Sequence, residues 1–157
     1  MKIDSIWGSF FDWLGALVMA CLMIITVMAV FCRYLLDAPL VWTEDVYPLL
    51  IMWTVMLGAV AAKRRNEHLR IAVLLERLSA KWRRRIILIN QVLEILIIGV
   101  VGYFGFMLAM QAKYKVTNVL GIPFAWIDLA VPFGAVGYAA MCLSQIRITL
   151  AEGREKP

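Results

Sequence analysis

Charge and polar chemistry are scarce in this 157-residue chain. Only 17% of its residues are charged, and it holds one histidine, three cysteines and five prolines. A single histidine, His68, excludes a bis-histidine haem site built within the chain. Cys21, Cys32 and Cys142 lie in or at the ends of apolar runs, without C-x-x-C or metal-ligand spacing, and read as small apolar fillers. There is no Gly-rich phosphate loop, no zinc spacing and no G-x-S-x-G motif. No convergent set of nucleophile, base and orienting group accompanies His68, so neither catalysis nor a bound cofactor or metal is expected.

What the chain has instead is apolar length. Hydrophobic residues make up 63% of it and its mean hydropathy is +0.81, against an apolar share of roughly 45–50% in soluble domains. Four runs reach membrane-spanning length, which takes roughly 17–25 residues each. The expected fold is an all-α integral membrane protein, residues 1–157 forming a single membrane domain. Its four transmembrane helices are expected at about 14–31, 46–62, 86–110 and 122–143. Met1 to Trp13, with Trp7, Phe10, Phe11 and Trp13, reads as an amphipathic entry lying at the headgroups. A signal peptide is the competing reading of the first run, but the run is longer than a 7–15-residue signal core and its start is nearly neutral. The tail from Ser144 is expected to fray.

Cations are concentrated. Nine of the 16 Lys and Arg fall between Lys63 and Arg85, whereas the segment 33–45 has one cation and three acids. A basic cluster between two spans is topogenic rather than a nucleic-acid site, so 63–85 is expected to be cytoplasmic, as are both termini. Within it, Ile71, Leu74, Leu75, Leu78 and Trp82 fall on one helical face, with Arg70, Arg77, Lys81 and Arg84 on a neighbouring arc. This predicts an amphipathic interfacial helix over about 66–84, its cations on anionic lipid headgroups.

Between Arg33 and Arg70 the chain reads RYLLDAPLVWTEDVYPLLIMWTVMLGAVAAKRRNEHLR. Arg33-Tyr34 closes one span, Asp37 and Pro39 make a turn, and Trp42-Thr43-Glu44-Asp45 opens the next. That span carries Gly58 and ends on Lys63-Arg64-Arg65, followed by Glu67-His68. This pattern resembles the small membrane (DctQ-like) subunit of tripartite ATP-independent periplasmic (TRAP) transporters. Pro48 and Asn66 depart from it, standing where the family often has a basic residue and a glycine. The resemblance implies a non-catalytic small permease subunit in the bacterial inner membrane. It further implies a larger multi-span (DctM-like) transport subunit and a periplasmic binding protein that delivers an organic acid. Uptake would be driven by an ion gradient, typically sodium.

Several residues stand out as candidates for subunit contact or structural work. Thr43 or Asp45 can cap the second span, and Glu44 and Asp45 suit the positive end of its dipole. A contact of these acids with a basic group on a partner is the other reading, with Arg33 as an intrachain competitor. In the third span, Asn90 and Glu94 share a face, and Gly99, Gly102 and Gly105 allow close helix approach. Glu94 lies about 13 Å along the helix from Arg85, so it must face protein or carry a proton. Buried hydrogen bonding is one role for it. The alternative is ion transfer in a self-contained, proton-coupled four-helix exporter. Trp42, Trp126 and Asp128 complete the candidates, at the starts of spans two and four.

Overall fold

The computed structural model describes residues 3–64 and 80–152. Four helices in it are long and apolar enough to cross a membrane. α1 spans Ile3–Leu35, α2 spans Thr43–Arg64 and α3 spans Ala80–Gln111. A 3₁₀ turn, Ala112–Tyr114, follows. The last span is split into α4, Ala125–Asp128, and α5, Ala130–Glu152. Among the described residues there is no strand beyond one isolated bridge, Val116 with Pro123.

The helix ends follow local chemistry. α1 stops because Asp37 takes a left-handed conformation, φ 48°. The Cys32 carbonyl then accepts from both Leu36 and Ala38 N–H, a Schellman-type close. Asp tolerates that conformation better than most residues, and Pro39 shortly after blocks any continuation. α2 starts at Thr43, whose hydroxyl donates to Leu40 O at 2.6 Å. Pro48 therefore lies in the second turn, where its missing N–H costs the helix one hydrogen bond. The break at Leu129 has the same origin: Pro132, early in α5, has no N–H to offer the carbonyl of Asp128.

Three expected boundaries are corrected. The first helix does not begin near Leu14 after a separate entry segment; from Ile3 onward it is one helix, since nothing between Ser5 and Trp13 but Gly8 weakens it. Ala80–Arg84, expected at the end of an interfacial helix, instead open α3, being good helix formers without a breaker before Ile86. The tail does not fray at Ser144, because α5 continues to Glu152. The rest of the expected interfacial helix, with Arg70, Arg77 and His68, lies outside the described residues.

The long helices stand in file. α1 packs on α2, α2 on α5 and α5 on α3, so α1 and α3 form the two ends. A small core lies toward the Lys63 end of the file, where Phe11, Leu57, Val60, Tyr138 and Met141 meet, with Ile98 of α3 against them. Glycine sets two of the approaches. A methyl on Gly134 of α5 would sit 2.7 Å from Met56 Cβ of α2, and one on Gly105 of α3 would sit 2.8 Å from Val131 Cβ of α5. Gly102 likewise faces Ala135 of α5, so two glycines of the third span find their neighbour within the chain.

Candidate functional site

Polar side chains gather at the two ends of α2. At the end where α2 finishes, the Lys63 ammonium forms an ion pair with the Glu94 carboxylate of α3. Lys63 is only 4% exposed, and an ammonium so placed is tolerable only when paired. Three further groups complete its surroundings. The Tyr138 ring of α5 lies 5.6 Å from Lys63 Nζ, within cation–π range, and its hydroxyl reaches the Glu94 carboxylate. Gln145 Nε2 donates to the Lys63 carbonyl at 2.8 Å. The Cys142 thiol is 3.5 Å from the Gln91 carbonyl and 3.7 Å from Glu94.

Tyr138, Cys142 and Gln145 recur at i, i+4 and i+7, and so share one face of α5. Gln91 precedes Glu94 by one turn on α3. One cation thus ties the end of α2 to both neighbouring helices on its far side. The pair also fixes the level of Glu94 within the fold. The carboxylate lies level with the last turn of α2, and α3 runs on past that level for about four turns, roughly 21 Å, back to Ala80.

At the other end of α2, Asp45 is 8% exposed. It caps no helix of its own. Its Oδ2 accepts from Val119 N–H at 2.9 Å and Leu120 N–H at 2.6 Å, in the loop joining the third span to the fourth. That loop is closed by its own bonds. Thr117 N–H donates to Ile122 O at 2.9 Å and Phe124 N–H to Lys115 O at 2.9 Å, while Ile122 N–H donates to Thr117 Oγ1 at 3.0 Å. Gly121, at φ +66°, supplies the left-handed residue the turn needs. A carboxylate receiving two amide N–H groups is a strong, charge-assisted arrangement.

Between the two ends, Trp53 Nε1 donates to Trp126 O at 3.2 Å, and the Trp53 ring meets Phe133 at 5.4 Å. Beside them an apolar cavity of about 390 Å³ is lined by Trp53, Phe106, Trp126, Leu129, Pro132, Phe133 and Val136. A second hollow of about 280 Å³ lies between α1 and α2 beside Gly15 and Gly58.

Of the residues expected to matter, the fold brings Glu94, Asp45 and Trp126 into specific intrachain contacts. Arg33, Glu44 and Asn90 are exposed, and Trp42 and Asp128 are half-buried. Among the described residues Arg33 pairs with neither acid of the Glu44-Asp45 pair. Lys81 and Arg84 lie in the first turns of α3, and their side chains are outside the described set. Lys63, Tyr138, Gln145 and Gln91 escaped the sequence reading. The i, i+4, i+7 spacing of Tyr138, Cys142 and Gln145 carries that signal, since it puts three polar-tipped residues on one face of an apolar helix.

Four apolar spans with polar contacts spent inside the chain define a multi-pass membrane protein whose described residues gather no catalytic centre. Comparison with known proteins gives this a family. Residues 22–152 match the model for "Tripartite ATP-independent periplasmic transporters, DctQ component", and the chain belongs to that family of transporter permease subunits, which are not enzymes. A sialic acid TRAP transporter small permease protein of Vibrio cholerae is 27% identical over 75% of this chain and 68% of its own. A sialic acid TRAP transporter permease of Haemophilus influenzae is 28% identical over 80% of this chain, but over only 20% of its own length. A C4-dicarboxylate TRAP transporter small permease protein of Rhodobacter capsulatus is 29% identical over 73% of this chain and 50% of its own.

Proposed function

We propose that this chain is the scaffolding small permease of a TRAP system in a bacterial inner membrane. It holds a larger DctM-like subunit while that subunit takes up an organic acid, delivered by a periplasmic binding protein, driven by the gradient of an ion such as sodium. The observation that carries the reading is the Lys63–Glu94 pair. A carboxylate in a membrane span is either an ion site or paired within the protein, and this one is matched by a buried ammonium from its own chain. The same pair speaks against exporter chemistry through Glu94. Family membership supplies the partners, and the longer Haemophilus relative, of which this chain matches one-fifth, fits a unit that works beside a larger one. The relatives are named for two different acids, which supports an organic acid as the substrate class without choosing between them.

By the positive-inside rule, the basic residues that follow α2 support a cytoplasmic Lys63 end and an outer Asp45 end. Purification from the native membrane through a C-terminal tag tests the scaffold directly. A stoichiometric, much larger multi-span protein is expected with the chain. Recovery as a homo-oligomer alone, even after crosslinking in the membrane, would refute it.

A further inference from the structure

The outer end of the molecule divides by charge. Residues 113–126 carry Lys113 and Lys115 and no acid, whereas 33–45 carry one cation against Asp37, Glu44 and Asp45. The basic half is also the apolar half. Tyr114, between the two lysines, is 93% exposed, and Val116, Val119 and Leu120 are about half exposed. Large apolar side chains grouped at a loop tip need an explanation if that tip stands in water.

Its height answers where it stands. The window Thr43–Lys63 of α2 holds 21 residues, about 30 Å at 1.5 Å per residue, which matches a hydrocarbon thickness of about 30 Å with nothing to spare. Asp45 is in the first turn of that helix, and its carboxylate holds the Val119 and Leu120 amides at hydrogen-bonding distance. The tip is therefore held within about one turn of the hydrocarbon edge. A surface combining lysines, an exposed tyrosine and aliphatic side chains at that level is complementary in charge to lipid phosphates and in polarity to the acyl boundary.

We propose that residues 113–126 form a foot, latched to the bundle by Asp45, that seats in the phosphate layer of the outer leaflet. Lys113 and Lys115 meet phosphates, while Tyr114, Val119 and Leu120 enter the headgroup–acyl boundary. Asp45 is a positioning residue: it touches no lipid and acts through the loop it holds. The proposal rests on the orientation given above and adds to the scaffold a fixed height in the membrane.

The test uses the full chain with its large subunit in nanodiscs of phosphatidylethanolamine and phosphatidylglycerol. A nitroxide is placed by Leu120→Cys in a background of Cys21→Ala and Cys32→Ala, leaving buried Cys142. Relaxation by oxygen against a water-soluble nickel chelate is expected to put the label about 5–10 Å inside the headgroup boundary. Asp45→Ala should reverse that preference at an unchanged yield of chain, with Asp45→Asn intermediate. Lys113→Gln with Lys115→Gln should remove the dependence of depth on phosphatidylglycerol content. A label relaxed by the nickel chelate as in bulk water overturns the foot. One screened from both reagents overturns it too and gives the surface to a protein partner. A depth indifferent to Asp45→Ala overturns the latch. Co-purification of the large subunit from the same membranes reports on the scaffold separately, because loop depth is read on this chain whether or not that subunit is retained.

Discussion

Removing one member of the Lys63–Glu94 pair should harm this protein more than removing both. In Glu94→Leu the Lys63 ammonium stays 4% exposed with no carboxylate beside it. Breaking a buried pair costs about 3–5 kcal/mol. Here the loss is softened, because Glu94 itself is a third exposed. The Tyr138 ring can return about 0.5–2 kcal/mol and the negative end of the α2 dipole about 0.3–1 kcal/mol. A net loss of roughly 2–3 kcal/mol follows, or a fall in midpoint of about 4–12 °C for a chain of this size. Lys63→Met alone should cost less, since a partly exposed Glu94 can turn to solvent.

The double variant Lys63→Met, Glu94→Leu leaves no buried charge and should recover most of the loss, replacement of such pairs by apolar residues being neutral or favourable. A coupling of about 2 kcal/mol would appear in the cycle. Thermal unfolding of the purified complex reads the cycle, and uptake in proteoliposomes reads the function. Additive losses would refute a paired ammonium. A double variant that assembles and is stable yet transports nothing would refute the structural role and return Glu94 to ion coupling.

Three further outcomes are expected. Gly134→Ala should lower the unfolding midpoint by several degrees, because its methyl meets Met56 Cβ at 2.7 Å and overpacking costs about 1–3 kcal/mol; an unchanged midpoint would mean that α2 and α5 are free to separate. Trp53→Phe keeps the ring against Phe133 and gives up one hydrogen bond, about 0.5–1.5 kcal/mol, whereas Trp53→Ala should cost several times more, and equal losses would contradict the packing described. A cysteine at exposed Leu36 should react with an impermeant maleimide from the periplasmic side of intact cells, and one at Arg147 only after the inner membrane is opened; the reverse pattern would invert the orientation.

The helices were legible in the sequence because hydropathy and the positions of Asp37, Pro39 and the basic runs report on a single segment at a time. The polar contacts were not, for a physical reason. Lys63 stands first in a Lys-Arg-Arg run, and read along the chain it is one more topogenic cation. Only the register of α2 against α3 turns it inward to Glu94, 31 positions later. Asp45 is misleading in a similar way. An acid in the first turn of a helix suits the dipole of that helix, yet its side chain serves two amides 74 and 75 positions away. Cost alone asked that Glu94 face protein or carry a proton, but cost does not name a partner. The helices run on beyond the expected spans where good helix formers continue, before Leu14, before Ile86 and after Leu143, since hydropathy reports what a membrane accepts and not where a helix stops.

Helices standing in file make a wall and not a vessel. A closed bundle of four can keep an axial space for water, an ion or a substrate, and its members screen one another from the surroundings on all sides. A file leaves each long helix a flank open to whatever lies beside it, and away from the small core near Lys63 it shields chiefly the seams between neighbours. Side chains on the two broad faces can therefore be exchanged to suit a new neighbour while the seams, with their glycines, stay as they are. In the proposed complex, a route across the membrane would be completed by material that leans on this wall from outside.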